Sequence, residues 1–223
     1  FLFIWNCIYF IYHFVNESTR NQLDKLKLEA LVKSLELKTI KSHINPHFIF
    51  NALNSIRALV DENPAHARNA ITALSNILRS SMVSETQETI SLERELNIVK
   101  DYLALELIRF EDRLSIKYDI PDEVLQVQIP PMMLQTLVEN SIKHGISKSV
   151  KPGEILVQAI KNNQALMLII LNTGQLAKTH NNDGFGLQST ESRLNLIFGN
   201  QASFRIFQRD EDHVEACVTI PFV

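Results

Sequence analysis

Apolar positions set the layout of the chain. It opens on a nearly continuous apolar run, Phe1 to Val15 (FLFIWNCIYFIYHFV). From Glu17 to about Val60 the pattern turns helical. Leu23, Leu26, Ala30, Leu37, Ile40 and Ile44 fall close to heptad spacing, and Leu28, Leu31 and Leu35 make a second stripe. Two stripes predict a helix with more than one neighbour. Pro46 interrupts it, because proline removes the hydrogen bond to the Ser42 carbonyl and forces a kink or a break. Asn63-Pro64 reads as an N-cap followed by proline at the first helical position. It opens a second helix through about Met82, and the two helices form a hairpin of the kind used in dimerisation. Residues 84–90 read as a polar linker. Ser91 caps a third helix that has Glu93 and Glu95 in its first turn and runs to about Phe110. Leu114 to Ile120 alternates as a strand, and Pro130-Pro131 starts a helix reaching Lys143. Strands at 154–161 and 165–171, a helix from about 186 to 198, and strands at 202–208 and 213–220 follow. Helices first, then strands alternating with helices and hairpins, predict an α region followed by an α/β region with a mixed sheet.

Composition changes this picture in three places. The six glycines all lie from Gly145 onward, so extended helices belong to the first 144 residues and turns or backbone–ligand contacts to the rest. With 45% hydrophobic and 21% charged residues the chain is globular, which excludes intrinsic disorder. A net charge of −3 supplies no basic surface for phosphate backbones, so no direct nucleic-acid partner is expected. Cys7 and Cys217 lie too far apart in sequence to read as a disulfide framework and suit a reducing compartment. The opening run lacks the cationic start and cleavage site of a signal peptide and is shorter than the ~20 residues that span a bilayer. Residues 1–16 are expected to be the end of a transmembrane helix, with Arg20, Lys25, Lys27 and Lys33 on the cytoplasmic side. The alternative is a buried N-terminal helix.

Three constellations carry chemistry. In His43-Ile-Asn-Pro-His47-Phe-Ile-Phe-Asn51, the residues His43, His47 and Asn51 recur every four positions and share a face if the helix continues. Imidazole is a competent nucleophile near neutral pH. Two histidines at this spacing can also bind zinc, but the glutamate of HExxH is missing. The stretch Pro131-Met-Met-Leu-Gln-Thr-Leu-Val-Glu139-Asn140-Ser-Ile-Lys143-His144-Gly145 puts Glu139, Asn140, Lys143 and His144 near a helix end, opposite Leu134, Leu137, Val138 and Ile142. An amide oxygen and an ammonium suit a magnesium-bound triphosphate, although a solvated helix edge explains them equally well. Asn172-Thr173-Gly174 ends a strand, and Gly184-Phe185-Gly186-Leu187 opens a helix whose backbone amides suit an anion. A loop and a cap would account for those glycines too.

Together, in this order, the three motifs resemble the LytS/YehU type of membrane sensor histidine kinase over about residues 35–221. INPHFIFNALNSI is similar to its phosphoacceptor box, PPMMLQTLVENSIKHG to its N box and GFGLQSTESRLNLIFG to its G box. The resemblance implies a helical dimerisation and phosphoacceptor hairpin followed by a Bergerat-type (GHKL) α/β sandwich. It divides the chain into 1–16, 17–84 with the signalling and phosphoacceptor helices, and 85–223 with the ATP-binding domain and its leading helix. It makes His47 the acceptor of the ATP γ-phosphate, with Asn51 orienting the imidazole or a dephosphorylating water. Asn140 becomes the Mg²⁺ ligand, and Lys143 and His144 face the phosphates. Asn172 and Gly174 meet the adenine, and Gly184, Gly186 and Leu187 form the lid. The implied partners are a second copy of the chain and a response regulator, of LytTR type, at a bacterial cell membrane with this region cytoplasmic.

Four positions depart from histidine-kinase or related ATPase patterns. Phe48 follows the phosphoacceptor where many histidine kinases carry an acidic residue, which leaves proton removal to another group, with Glu139 a candidate. His43 stands where glutamine is expected. Asn172 replaces the adenine-binding aspartate, and no second glycine follows Gly174; a degenerate ATP-binding scaffold is the alternative reading. Thr136 occupies the place of the water-activating glutamate in related ATPases, which favours transfer to histidine over hydrolysis. Glu106, Arg109 and Phe110 match the family's region before the ATP domain and are expected to pack and join domains.

Overall fold

The computed structural model describes residues 5, 9, 11, 13–17, 46–83, 87–162, 164–176 and 185–222. The chain divides into two compact units, residues 1–45 and 46–223. In the first unit, residues 13–17 are helical, the Tyr9 and His13 rings lie 4.5 Å apart, and Trp5, Tyr9, Ile11, Phe14 and Val15 are exposed. Among the described residues no helix is long and apolar enough to cross a membrane. The two leucine stripes and His43 fall outside the described residues.

The second unit begins with α1 (Pro46–Glu62) and α2 (Pro64–Val83). Asn63 alone separates them. Its side-chain Oδ1 accepts the His66 amide at 3.1 Å, which satisfies one of the unbonded donors of the helix start. Phe48, Ala52 and Ile56 of α1, at a spacing of four, are buried with Ala70, Ala73, Leu74 and Ile77 of α2 in a common core. The last residue of the segment read as a linker, Ile90, begins β1 (Ile90–Ser91), which leads into α3 (Leu92–Phe110). The Ser91 hydroxyl accepts the Arg94 amide, as its N-cap position predicts.

A five-stranded mixed sheet follows, built from β2 (Leu114–Asp119), β4 (Gly153–Lys161), β5 (Ala165–Thr173), β6 (Ser203–Gln208) and β7 (His213–Pro221). Its strand order is β2-β4-β5-β7-β6, and β2 and β4 alone run parallel. The short β3 (Gln128–Ile129) pairs antiparallel with β1, Ile90 opposite Ile129. These two-residue strands are too short to show the alternation from which strands are read in a sequence. One face of the sheet is closed by Ile155, Val157 and Ala159 of β4, Leu166, Leu168 and Ile170 of β5, and Ala216, Val218 and Ile220 of β7. The same core takes in Leu134, Leu137, Val138 and Ile142 of α4 (Met133–His144) and Leu194 of α5 (Phe185–Phe198).

Helix α4 starts two residues later than Pro130-Pro131 suggests. Met132 adopts φ 64°, a left-handed conformation that ends the preceding backbone direction before the helix begins.

Candidate functional site

The strand period places one end of the site. Asn172 lies two residues beyond Ile170 on β5 and therefore faces the same helix-covered side; it is 6% exposed. Its Nδ2 donates to the Thr173 carbonyl at 3.0 Å. Gly145, which follows α4, stands against this corner. A Cβ there would lie 2.4 Å from Asn172 Nδ2 and 2.5 Å from the Thr173 carbonyl oxygen. Gly174, at φ +155°, would put a Cβ 2.8 Å from the Gly145 Cα. The two glycines thus let the end of α4 meet the end of β5 backbone to backbone. That requirement, more than helix capping, demands glycine at 145.

Gln208 on β6 holds the chain that leaves this corner. Its Oε1 accepts the Leu176 amide at 2.7 Å, and its Nε2 lies 3.3 Å from the Gly174 carbonyl and 3.1 Å from that of His213.

On α4, Asn140 Nδ2 donates to the Thr136 carbonyl one turn earlier at 2.8 Å. The donor side of the amide is thereby turned to the helix, and its carbonyl oxygen is the atom suited to a hard cation. Lys143 is exposed, and His144 is half-buried. Glu139 accepts from Gln135 Nε2 at 2.7 Å. Burial pushes its carboxyl pKa up, and the neighbouring Glu106 charge adds to the rise. Of the lid residues, Gly184 lies outside the described residues, Gly186 is helical in α5, and the Leu187 side chain packs against the core.

His47 sits in the first turn of α1, with its Nδ1 3.2 Å and its Nε2 3.5 Å from Asn51 Nδ2. The next residue, Phe48, packs its ring on Tyr102 of α3 at 4.7 Å. One turn on from Tyr102 stands Glu106, 2% exposed. It accepts from Arg109 Nη1 at 3.2 Å and from the Tyr102 hydroxyl. Burial raises the Glu106 pKa, against the opposing charges of Arg109 and His47. Tyr102 is pushed well above the usual phenol range by burial and by the Glu106 and Glu139 charges. The charge of His47 is felt at Glu106 and that of Glu106 at Glu139, and Asn140 follows Glu139 on α4.

Helix α3 carries both Tyr102 and Glu106, and the motif reading gave it no role in the chemistry. It also ties α4 down at the other end. Glu95, wholly buried, accepts the amides of Met132 at 3.1 Å and Gln135 at 3.2 Å, at the start of α4. Glu95 stands in the first turn of α3, as the sequence predicts, and its carboxylate caps a different helix from inside the core. Arg193 of α5 reaches the same place, donating to the Pro131 carbonyl at 2.6 Å. A signal for both glutamates is present in the sequence: Leu92, Glu95, Val99, Tyr102 and Glu106 occupy one stripe at spacings of three and four, so the two carboxylates fall on the apolar face. Among the described residues no three of His, Cys, Asp and Glu are grouped to hold a metal ion.

Comparison with known proteins adds the following. The histidine kinase family matches residues 35–114. The sensor protein LytS of Staphylococcus saprophyticus is 35% identical over 206 residues, covering 86% of this chain and 35% of that protein. The sensor histidine kinase BtsS of Escherichia coli K12 is 32% identical over 195 residues, covering 87% of this chain and 35% of that protein. The solved catalytic domain of the histidine kinase ThkA superposes with a TM-score of 0.46 at 14% identity, over 61% of this chain and 97% of that one. The chain thus spans about a third of the length of the curated relatives it matches.

Proposed function

This chain belongs to the histidine kinase family, and from that premise we propose that it is the kinase portion of a two-component sensor, transferring the γ-phosphoryl group of ATP to His47 and then to an aspartate of a response regulator. The observation that supports the reading is that His47, with the Asn51 amide one turn on beside its ring, and Asn140, whose amide nitrogen is turned to its own helix, belong to one compact unit.

In this reading His47 attacks phosphorus through a ring nitrogen. Asn51 lies nearer Nδ1 than Nε2, which favours Nε2 as the attacking atom. The Asn51 amide carries both a donor and an acceptor and serves whichever tautomer the step requires. Asn140 holds Mg²⁺ through its carbonyl oxygen. Bound there, the cation would neutralise developing charge on the phosphates. Lys143 and His144, in the last turn of α4, face the phosphates, and Gly184, Gly186 and Leu187 belong to the lid over them. Asn172 and Gly174 take the adenine, the asparagine oxygen accepting where an aspartate would. Thr136 spends its hydroxyl on the Met132 carbonyl and offers no base to a water, which favours transfer over hydrolysis.

The chain works as a homodimer, supported by the apolar side chains exposed along α1 and α2. The N-terminal segment meets a bacterial membrane through the exposed aromatics at 5, 9 and 14, with the kinase portion in the cytoplasm. The partner regulator is of LytTR type by family resemblance.

The test is incubation with labelled ATP and Mg²⁺. Acid-labile, base-stable label is expected on the wild-type chain, retained by His43→Gln and lost in His47→Gln. No label, or label that survives His47→Gln, overturns the reading. A second reading, an ATP-binding scaffold, is favoured by asparagine at 172 where an aspartate is expected and by Gln175-Leu176 in place of a second glycine after Gly174. Binding of a non-hydrolysable ATP analogue without any phosphotransfer would establish it.

A further inference from the structure

We propose that Gln208 is a positioning residue for the nucleotide: from β6 its carboxamide fixes the backbone of Gly174 to Leu176, which borders the adenine corner. The proposal rests on the reading of Asn172 and Gly174 as the adenine contacts.

Strand register puts Gln208 in place. Asn172 of β5 lies opposite Val214 of β7, and Val214 lies opposite Gln208 of β6. The three form one row across the sheet, on the face where Ala216 and Val218 are buried. Backbone pairing between β5 and β7 stops just past this row: Thr173 pairs with His213, and the Gly174 amide donates to the Asp212 carbonyl at 2.8 Å. Gln208 carries the pairing further through its side chain. Its Oε1 accepts the Leu176 amide at 2.7 Å. Its Nε2 faces the carbonyls of Asp210 at 2.7 Å, His213 at 3.1 Å and Gly174 at 3.3 Å. One carboxamide thus ties the end of β5 to the β6–β7 hairpin.

The hairpin is a firm anchor. The Arg209 amide donates to the His213 carbonyl at 2.9 Å, the Asp212 amide donates to Asp210 Oδ1 at 2.9 Å, and His213 Nδ1 stands 2.9 Å from the same oxygen. An amide side chain supplies an acceptor for Leu176 and donors for the carbonyls at once. Held in advance, Gly174 to Leu176 need no ordering when a nucleotide arrives. Released, the segment samples other arrangements, and only the competent fraction receives the base. The adenine is remote from the transferred phosphate, so the effect falls on nucleotide affinity and not on the transfer step.

The experiment titrates the full chain, with Mg²⁺, against a non-hydrolysable ATP analogue and against ADP. KM and kcat of His47 labelling and the melting temperature are measured alongside. Gln208→Met removes donor and acceptor at similar length. It is expected to weaken both ligands by the same factor, about 5- to 30-fold, and to raise KM to match. Its kcat stays within about twofold of wild type and its melting temperature within about 3 °C. Gln208→Glu keeps the acceptor and is expected to fall between the two. Wild-type affinity in Gln208→Met overturns the proposal. So does a loss confined to the ATP analogue, which marks an effect at the γ-phosphate. A kcat lowered as much as the affinity, with a fallen melting temperature, marks general damage and overturns it too. If Gln208→Met does not fold, Gln208→Glu decides: weaker binding of both ligands at unchanged kcat supports the proposal, and wild-type affinity overturns it. Wild-type chain that binds neither ligand is a separate result that removes the nucleotide reading and this proposal with it.

Discussion

At Glu95, burial and hydrogen bonding pull in opposite directions. Three backbone amides, from Met132, Leu134 and Gln135, and the charge of Arg193 favour the carboxylate, yet loss of water outweighs them and pushes the pKa up to about 7. The unfolded chain has the ordinary value of 4.5. Between these two values the unfolded state has released a proton that the folded state keeps, so folding stability falls as pH rises. The contribution is full below about pH 4.5 and lost by about pH 7, a span worth roughly 3 kcal/mol at ~1.4 kcal/mol per unit. Glu95→Gln removes the titrating group, and its unfolding free energy is expected to change less between pH 5 and pH 7.5 than that of the wild type. Denaturant melts at the two pH values check this, and equal slopes for the two proteins would refute the assignment. Part of this environment could be read beforehand, because Glu95 and Glu106 fall on the apolar stripe of α3. The amides that Glu95 caps lie 37 and 40 residues away, a separation that no local pattern reports.

Helix α3 is the element on which the site depends. Its boundaries were legible: Ser91 stands at the N-cap, and the helix runs to Phe110 as the periodicity requires. Its partners were not, because an amphipathic stripe states that a face is buried without stating against what. The face meets α1 through Phe48 and Tyr102, and α4 through Glu95. Phe48→Ala removes the ring that seats α1. It is expected to cost about 3 kcal/mol of stability and to slow His47 labelling, while affinity for an ATP analogue stays near wild type. Thermal melts beside a binding titration check this. An equal loss of analogue affinity would mean that the contact supports the nucleotide site directly.

At the scale of the whole molecule, α1 leaves Phe50 68% exposed, with Leu53, Val60 and, on α2, Ile71 about half exposed. Phe50, Leu53 and Val60 lie three and seven residues apart on one helix face, the arrangement that packs helices side by side. A paired Phe50→Glu and Leu53→Glu variant is expected to sediment as a monomer where the wild type sediments as a dimer. A variant that remains dimeric would move the interface elsewhere. By itself the sequence determined the order of the longer elements, the caps at Asn63 and Ser91, the mixed α/β character and the buried face of α4, because these follow from periodicities and turn residues within a few positions of one another. Tertiary structure alone decided that Gly145 and Gly174 meet beside Asn172, that Ile90 pairs with Ile129, and that the buried Glu95 of α3 caps the start of α4. Those relations join residues 27 to 40 positions apart, and only the packed core, which brings such residues together and excludes water from them, gives them their geometry and, at Glu95, its altered proton affinity.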